Sequence, residues 1–344
     1  METLQQFGIG LIQALQSLSP ALDGLMNLFT FLGKIEFYLL ILPLIYWAID
    51  NRLGIRALLV LIAIDILGSN FKLLFHQPRP YWVGGVKTLA EETSYGIPST
   101  HASDSLAVWG YLAYRLRKTW LWIVAVALIL FIGISRLYLG VHFPHDVVFG
   151  WLLGALLLWV FVICENPIAT WAKRQGVWIS IGIGFALSLV VILVGQLIQA
   201  WLSGIPDSAA WSDFAVQART PFYSFTLAGA LFGTISGYVL MKHHAPFQSN
   251  GKWLKRVGRY GLGIIGVLVI YFGLDVLFSL IVADATVLGF ALRYLRYATV
   301  TFWVTFIAPW IFIKIGLADR QDEVYEKPRL QPIDEEREGD FWCD

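Results

Sequence analysis

The sequence predicts an all-α protein, a polytopic transmembrane helical bundle of about nine spans. Three observations carry that expectation. Hydrophobic residues make up 57% of the 344 and charged residues 14%, with a mean hydropathy of +0.65, whereas a soluble domain carries about a quarter charged residues. The 15 Trp, 14 Tyr and 23 Phe exceed what a water-facing surface can hide. Uncharged runs near the length that crosses ~30 Å of hydrocarbon recur along the chain. These figures argue against a soluble enzyme, a disordered protein and any nucleic-acid partner.

Taken in order, residues 1–30 come first as an interfacial amphipathic segment. Leu4, Phe7, Leu11, Leu15, Leu18 and Leu22 recur at steps of three or four, with Gln6, Gln13 and Gln16 between them. That stripe suits a helix lying in the membrane interface; a short tenth span is the competing reading. The nine spans are expected near 31–49, 54–75, 99–115, 119–135, 147–164, 177–202, 221–241, 258–282 and 291–315. Residues 318–344 read as a flexible tail, since Asp319 to Asp344 hold ten acidic and four basic side chains and few aliphatic ones. Cys164 and Cys343 lack metal-ligand spacing and make a poor disulfide pair. No basic stretch precedes a short apolar run at the amino terminus, so no cleaved signal peptide is expected.

Loop charges orient the bundle. Alternate connections carry twelve basic residues, among them Arg52, Arg56, Arg115, Lys118, Lys173 and Arg259, against eight on the other side. The basic excess marks the cytoplasmic face. The tail is therefore expected inside, and the 76–98 and 136–146 segments outside, most simply in a cell (inner) membrane.

Three polar clusters gather on the outward side. Lys72 is followed after six residues by Arg79-Pro80. Pro98-Ser99-Thr100-His101 opens the third span. Ser135-Arg136 is followed after five residues by His142 and after three more by Asp146. Lys72, Arg79 and Arg136 can surround a phosphate dianion, the planar arginines gripping two oxygens each. Ser99 adds a hydroxyl donor, and a helix starting there aims free N–H groups at an anion. Asp146 stands four residues after His142, so a helical turn would set carboxylate beside imidazole. That contact fixes the tautomer and leaves the other nitrogen to attack phosphorus. His101 is then available to protonate the leaving oxygen.

Together, Lys72-x6-Arg79-Pro80, Pro98-Ser99-Thr100-His101 and Ser135-Arg136-x5-His142-x3-Asp146 resemble the three signatures of the type 2 phosphatidic acid phosphatase superfamily. The resemblance covers roughly residues 31–165, which become a catalytic transmembrane core. It implies a phosphoric monoester hydrolase with His142 as nucleophile, Asp146 as the partner of His142, His101 as acid, and Lys72, Arg79, Ser99, Thr100 and Arg136 around the phosphate. It implies a phosphohistidine intermediate, vanadate sensitivity, and no need of a metal or other cofactor. Thr100 stands where the family usually has Gly, as in its sphingosine-1-phosphate phosphatase branch. Arg79-Pro80-Tyr81-Trp82 and His142-Phe143-Pro144-His145 are instead similar to glucose-6-phosphatase, which likewise has nine spans but lacks the acid found here as Asp146.

The expected substrate is an amphiphilic phosphate, most simply a phosphatidate or sphingoid phosphate, presented by membrane lipids. Alternatives are a soluble sugar phosphate, a prenyl pyrophosphate, a lipid phosphotransferase or, outside enzymes, an anion transporter. Residues 166–317 supply further spans without a motif, expected to shape a substrate entrance or a homodimer surface.

Blander readings attach to several residues. The cation cluster itself could be an interfacial charge network, although ionisable groups in spans are functional by default. His142, His145, Asp146 and His76 could be drawn as a metal site, yet on a helix His145 should point nearly away from the 142–146 face. Asp65 reads as a structural hydrogen-bonder, Asp104 as a partner of His101 or of another bundle charge, and Asp275 has no assignable partner. Arg293 and Arg296 read as snorkelling to headgroups, and Tyr81 and Trp82 as interfacial anchors.

Overall fold

The computed structural model describes residues 2–283 and 286–321, and in those residues it is helical. In chain order the helices are α1 (Glu2–Gln16), α2 (Asp23–Phe31), α3 (Ile35–Leu44, continued by a π turn Ile45–Ile49), α4 (Asn51–Phe75), α5 (Pro80–Val83) and α6 (Thr100–Leu116). There follow α7 (Thr119–Tyr138), α8 (Pro144–Ala172), α9 (Val177–Leu202), α10 (Ser212–Ala218), α11 (Phe222–His244), α12 (Trp253–Ser279), α13 (Val287–Phe302, continued by a π turn Trp303–Ile307) and α14 (Ala308–Lys314). Seven segments among the described residues are long and apolar enough to cross a membrane, and the α2–α3 pair, bent by 54°, makes an eighth. The 17-residue α6, where the third span was expected, falls short of that length, so the described residues hold seven or eight such segments against the nine or so expected. The protein is an integral membrane protein. Of the acidic tail, residues 322–344, Cys343 among them, fall outside the described residues.

Local chemistry sets the boundaries. Asp50 caps α4 by accepting from the N–H groups of Arg52 and Leu53 at 2.8 and 2.9 Å, satisfying donors a helix start leaves open. His76 ends α4, and Arg117 ends α6, in the left-handed conformation. Pro144 opens α8, where its missing N–H costs no hydrogen bond. Pro309 cannot bond the carbonyl of Thr305, four residues back. The hydroxyl of Tyr46 takes that oxygen at 3.0 Å, and Trp47 Nε1 takes that of Val304 at 2.8 Å. The two π turns thus dock on each other.

Glycines decide how closely the helices approach. A Cβ on Gly150 would stand 2.5 Å from Ser99 O, and one on Gly154 2.7 Å from Ser103 O, so α8 lies directly on the first turns of α6. A second stripe, Gly229, Gly233 and Gly237 of α11, lies as closely against Tyr294, Ala298 and Thr305. Small residues four apart permit such backbone contact between membrane helices. One apolar cluster joins α3, α4, α6 and α8 through Tyr38, Leu61, Ile64, Val108 and Leu153. Another joins the α3 π turn to α11–α14 through Trp47, Met241, Val267, Val304 and Phe312. Exposed Leu152, Trp159, Leu193, Leu197, Ile265 and Val269 turn outward from α8, α9 and α12, as lipid-facing surfaces do.

Several expectations change. Of the leucine stripe, Leu4, Phe7, Leu11 and Leu15 lie on α1 and Leu18 and Leu22 in the turn before α2; Leu4, Phe7, Leu11 and Leu18 face outward, while Leu15 and Leu22 pack against the bundle. Gly8, Ile12 and Gln16 face the bundle, and Gln16 donates to the carbonyls of Lys87 and Tyr138 at 2.8 and 3.0 Å. Asp275 has a partner, Arg296, one helix away. Arg296 is buried and does not snorkel; its guanidinium lies over the rings of Tyr271 and Tyr297 at 5.2 and 5.1 Å. Arg293 lies 4.6 Å over Phe222. At the end of the bundle away from the polar clusters, buried Glu165 bridges Arg56 and Arg115 at 3.2 and 3.1 Å.

Candidate active site

The three clusters meet where α4, α6, α7 and α8 end together. Lys72 comes from the last turn of α4, and its ammonium donates to Tyr95 O at 2.8 Å and more weakly to Gly96 O at 3.4 Å. Arg79 leads into α5 and is almost wholly buried. Its guanidinium donates to Ser94 O at 2.5 Å, Val141 O at 2.8 Å, Ser94 Oγ at 3.0 Å and Tyr95 O at 3.2 Å. Two of the cations are therefore aimed by carbonyls of one strap, residues 84–99. Gly96 lets that strap pass: a Cβ there would stand 2.8 Å from Pro78 O and 3.2 Å from Asp146 Oδ2.

Ser99 caps α6 at the same point, and its backbone N–H donates to Asp146 O at 3.0 Å. This bond ties the second cluster directly to the third. Thr100 turns its methyl toward Gly68, where an added Cβ would stand 2.9 Å away. His101, one residue on, lies against the α2–α3 bend at Gly33. Its Nε2 is buried without a protein partner, as is Ser99 Oγ. Buried polar atoms are nearly always paired, so these two suit a ligand.

Arg136 ends α7 and is buried. Its guanidinium bonds Thr30 Oγ1 and the carboxylate of Glu92, while its Nε has no partner. The backbone then turns through Gly140, held at φ +75°, and brings His142 back toward Arg79. The Arg79 Nη1 to His142 Nε2 distance is 3.1 Å, and His142 Nδ1 lies 3.3 Å from Asp146 Oδ2. Arginine can only donate. Nε2 must therefore carry the lone pair and Nδ1 the proton, donated to Asp146. Burial, then the charges of Arg79, Lys72 and Arg136, hold the imidazole of His142 well below its ordinary pKa, and so neutral. Glu92 lies in the strap; burial pushes its carboxyl up, but Arg136 and Arg79 hold it far below the usual range, and so ionised.

The sequence-based account of the His142–Asp146 pair needs revision. His142 precedes α8 and is not on it, so no helical turn aligns the two. Asp146 instead caps the start of α8, its Oδ2 accepting from Phe143 N at 2.9 Å and reaching His142 with the same oxygen. His145 does not point away: its Nε2 lies 3.3 Å from Asp146 Oδ1, and its ring stacks on Phe143 at 5.2 Å. Asp104 accepts from Ser103 Oγ at 3.3 Å and neighbours Asp65, so it is not placed to orient His101. No group of three His, Cys, Asp or Glu side chains among the described residues has metal-holding geometry.

Residues that the motifs did not flag complete the arrangement. Glu92 and Thr30 meet Arg136. The hydroxyl of Tyr95 donates to Asp207 at 3.0 Å, and Asp207 pairs with Arg219. Tyr81 and Trp82 are not simple anchors, since Trp82 stacks on Phe214 at 5.9 Å and the Tyr81 hydroxyl holds Glu92. The segment 207–219 thus grips the strap from its far side. Between strap, α4 and the start of α11 lies a small cleft bordered by Ser69, Lys72, Tyr95, Thr220, Tyr223 and Ser224.

A histidine beside a carboxylate, set among three buried cations at one end of a helical bundle, brings together the groups that phosphoryl transfer calls for. The comparisons with known proteins place the chain more closely. Residues 53–168 match the PAP2 superfamily, and residues 225–320 match the transmembrane extension of PAP2 superfamily phosphatases. The chain belongs to the PAP2 superfamily of membrane phosphatases. Sphingosine-1-phosphate phosphatase 1 of Rattus norvegicus is 25% identical over 314 residues, covering 84% of this chain and 71% of that protein. Glucose-6-phosphatase 3 of Mus musculus is 30% identical over 186 residues, covering 46% and 54%. The crystal structure of a transmembrane PAP2 type phosphatidylglycerolphosphate phosphatase from Bacillus subtilis is similar with a TM-score of 0.43 and 27% identity, over 49% of this chain and 89% of that one.

Proposed function

We propose that the protein hydrolyses the phosphate monoester of an amphiphilic lipid through a phosphohistidine on His142. The observation that carries this reading is the His142 ring, with its Nε2 lone pair among Lys72, Arg79 and Arg136 and its Nδ1 proton on Asp146. Nε2 attacks phosphorus, and the bond from phosphorus to the ester oxygen breaks. His101 gives that oxygen its proton. A water then attacks the phosphorus, His101 takes the water's proton, the bond from phosphorus to His142 Nε2 breaks, and inorganic phosphate leaves. Lys72, Arg79 and Arg136 supply the positive charge that a divalent ion supplies in other phosphotransfer centres. A lipid is favoured over a sugar because the similarity to a sphingosine-1-phosphate phosphatase runs through most of the chain, extension included. The similarity to a glucose-6-phosphatase covers under half of it.

Phosphate release should therefore be fastest from sphingoid phosphate or phosphatidate in a panel that also holds prenyl pyrophosphate and hexose phosphate. It should persist in chelator and be inhibited by vanadate. Hexose phosphate as the sole good substrate would move the protein to the sugar-phosphate reading. Loss of activity in chelator, restored by one divalent ion, would overturn the role of the cations. Uptake of phosphate into liposomes without ester cleavage would make it a transporter.

The site is proposed to face away from the cytoplasm, on the strength of the loop charges. In a background lacking Cys164 and Cys343, Thr88→Cys on the strap should label with an impermeant thiol reagent in intact cells, and Asn250→Cys only after the cytoplasmic face is opened. The reverse pattern would invert the orientation.

A further inference from the structure

We infer that Glu92 is a resident anion of the phosphate seat, which a substrate must displace and which therefore selects ligands by charge. Arg136 comes from the third motif, and a group charged to bind phosphate would ordinarily be left to solvent or ligand. Here it is buried and already ion-paired, with the Glu92 carboxylate. Arg79 and His101 are the next titratable groups around that carboxylate, so it stands among the groups assigned to the phosphate and to the leaving oxygen.

Its hold on Arg136 is incomplete. The side edge of a guanidinium offers two parallel donors, Nε and Nη2, that fit two oxygens of one anion. Glu92 takes Nη2 with Oε1, and Nε is left buried without a partner. Ser99 Oγ is likewise buried without a partner. A tetrahedral dianion has oxygens for both and twice the charge. A monoanion, such as a phosphodiester, brings no more charge than the carboxylate it would replace.

The strap also gives Glu92 a way out. Its backbone is pinned, with N–H donating to the Tyr81 hydroxyl at 3.0 Å and carbonyl accepting from it at 2.9 Å. Its side chain, however, is 25% exposed, whereas that of Arg136 is 1% exposed. Exchange thus needs rotation of one glutamate side chain and no movement of the cations. An occupant of this kind reduces apparent affinity by the fraction of molecules in which the seat is taken.

The inference rests on the reading of this cluster as a phosphate seat, and the two can fail separately. The experiment measures nitrophenyl phosphate hydrolysis by the full chain in detergent or bilayer, with inorganic phosphate and dimethyl phosphate as competitors. Inhibition of the wild type by inorganic phosphate tests the seat itself. Glu92→Gln should bind inorganic phosphate about tenfold more tightly, lower KM in step, change kcat far less, and make dimethyl phosphate a measurable inhibitor. Glu92→Asp keeps the charge but is one methylene too short for Arg136, and should move the same quantities in the same direction. If either variant inhibits no better than wild type while kcat falls, Glu92 positions Arg136 or His101 instead and the inference is overturned. If the wild type itself ignores inorganic phosphate, the seat is wrongly placed.

Discussion

His142→Ala should abolish turnover of every ester offered, whereas His101→Ala should fail on alkyl phosphates and recover much of its loss on nitrophenyl phosphate. The difference follows from what each ring does to the bond that breaks. In the proposed mechanism His142 forms the new bond to phosphorus from Nε2, and no quality of leaving group replaces a missing nucleophile. His101, in the same proposal, only protonates the departing oxygen. A lipid or sugar alkoxide is strongly basic and needs that proton; a nitrophenolate is a weak base and leaves without it. General acid assistance is worth about 10²–10⁴-fold where it is needed, and that is the gap expected between the two substrates for His101→Ala. Steady-state assays of both variants on both esters, with vanadate binding to report an intact seat, check it. Equal loss on both esters in His101→Ala with vanadate binding preserved would remove the acid role. A burst of nitrophenol from His142→Ala would mean another nucleophile.

Asp146→Asn should lower kcat by about 10²–10³-fold while leaving the fold in place, the scale of removing one group that stabilises transition-state charge. The reasoning is local. Asp146 Oδ2 serves both Phe143 N and His142 Nδ1. An asparagine carbonyl in the place of Oδ2 can accept from both, so α8 stays started and Nδ1 keeps its proton. What is lost is the negative charge beside the ring, which stabilises the positive charge the imidazole gains when Nε2 bonds phosphorus. Thermal unfolding close to wild type together with the activity loss would support the charge argument. Wild-type kcat in Asp146→Asn would show that the charge is not needed.

Much of this was legible in the sequence because solvent dictates it. Hydrocarbon accepts long apolar runs and little else, so the spans follow from the chain in order. The motif residues could be assigned to one face because spans alternate direction. What the sequence did not disclose are contacts between groups far apart in the chain. Asp275 and Arg296 lie on different helices, and each taken alone looks like an orphan or a snorkeller. Glu92 sits in an irregular strap, where no periodicity marks which of two adjacent acids turns inward. The stripe on α1 was visible and Leu4, Phe7 and Leu11 are on its outward side, but buried Gln16 is explained only by carbonyls 71 and 122 positions away. The His142–Asp146 spacing was correct for the wrong reason. A four-residue interval suits a helical turn, and here the same interval spans the helix cap.

The clasp of Tyr95, Asp207 and Arg219 bears on modularity. Two sequence models divide the chain into a core and an extension, as though the second half were an appendage that could be exchanged. Yet the strap whose carbonyls aim Lys72 and Arg79 is fastened on its far side by residues 207–219 and by the stacking of Trp82 on Phe214. The stretch that joins the two modules is therefore part of the wall of the candidate site. Grafting a different extension onto this core would alter the site itself, and the inheritable unit of catalysis is longer than the motifs that advertise it.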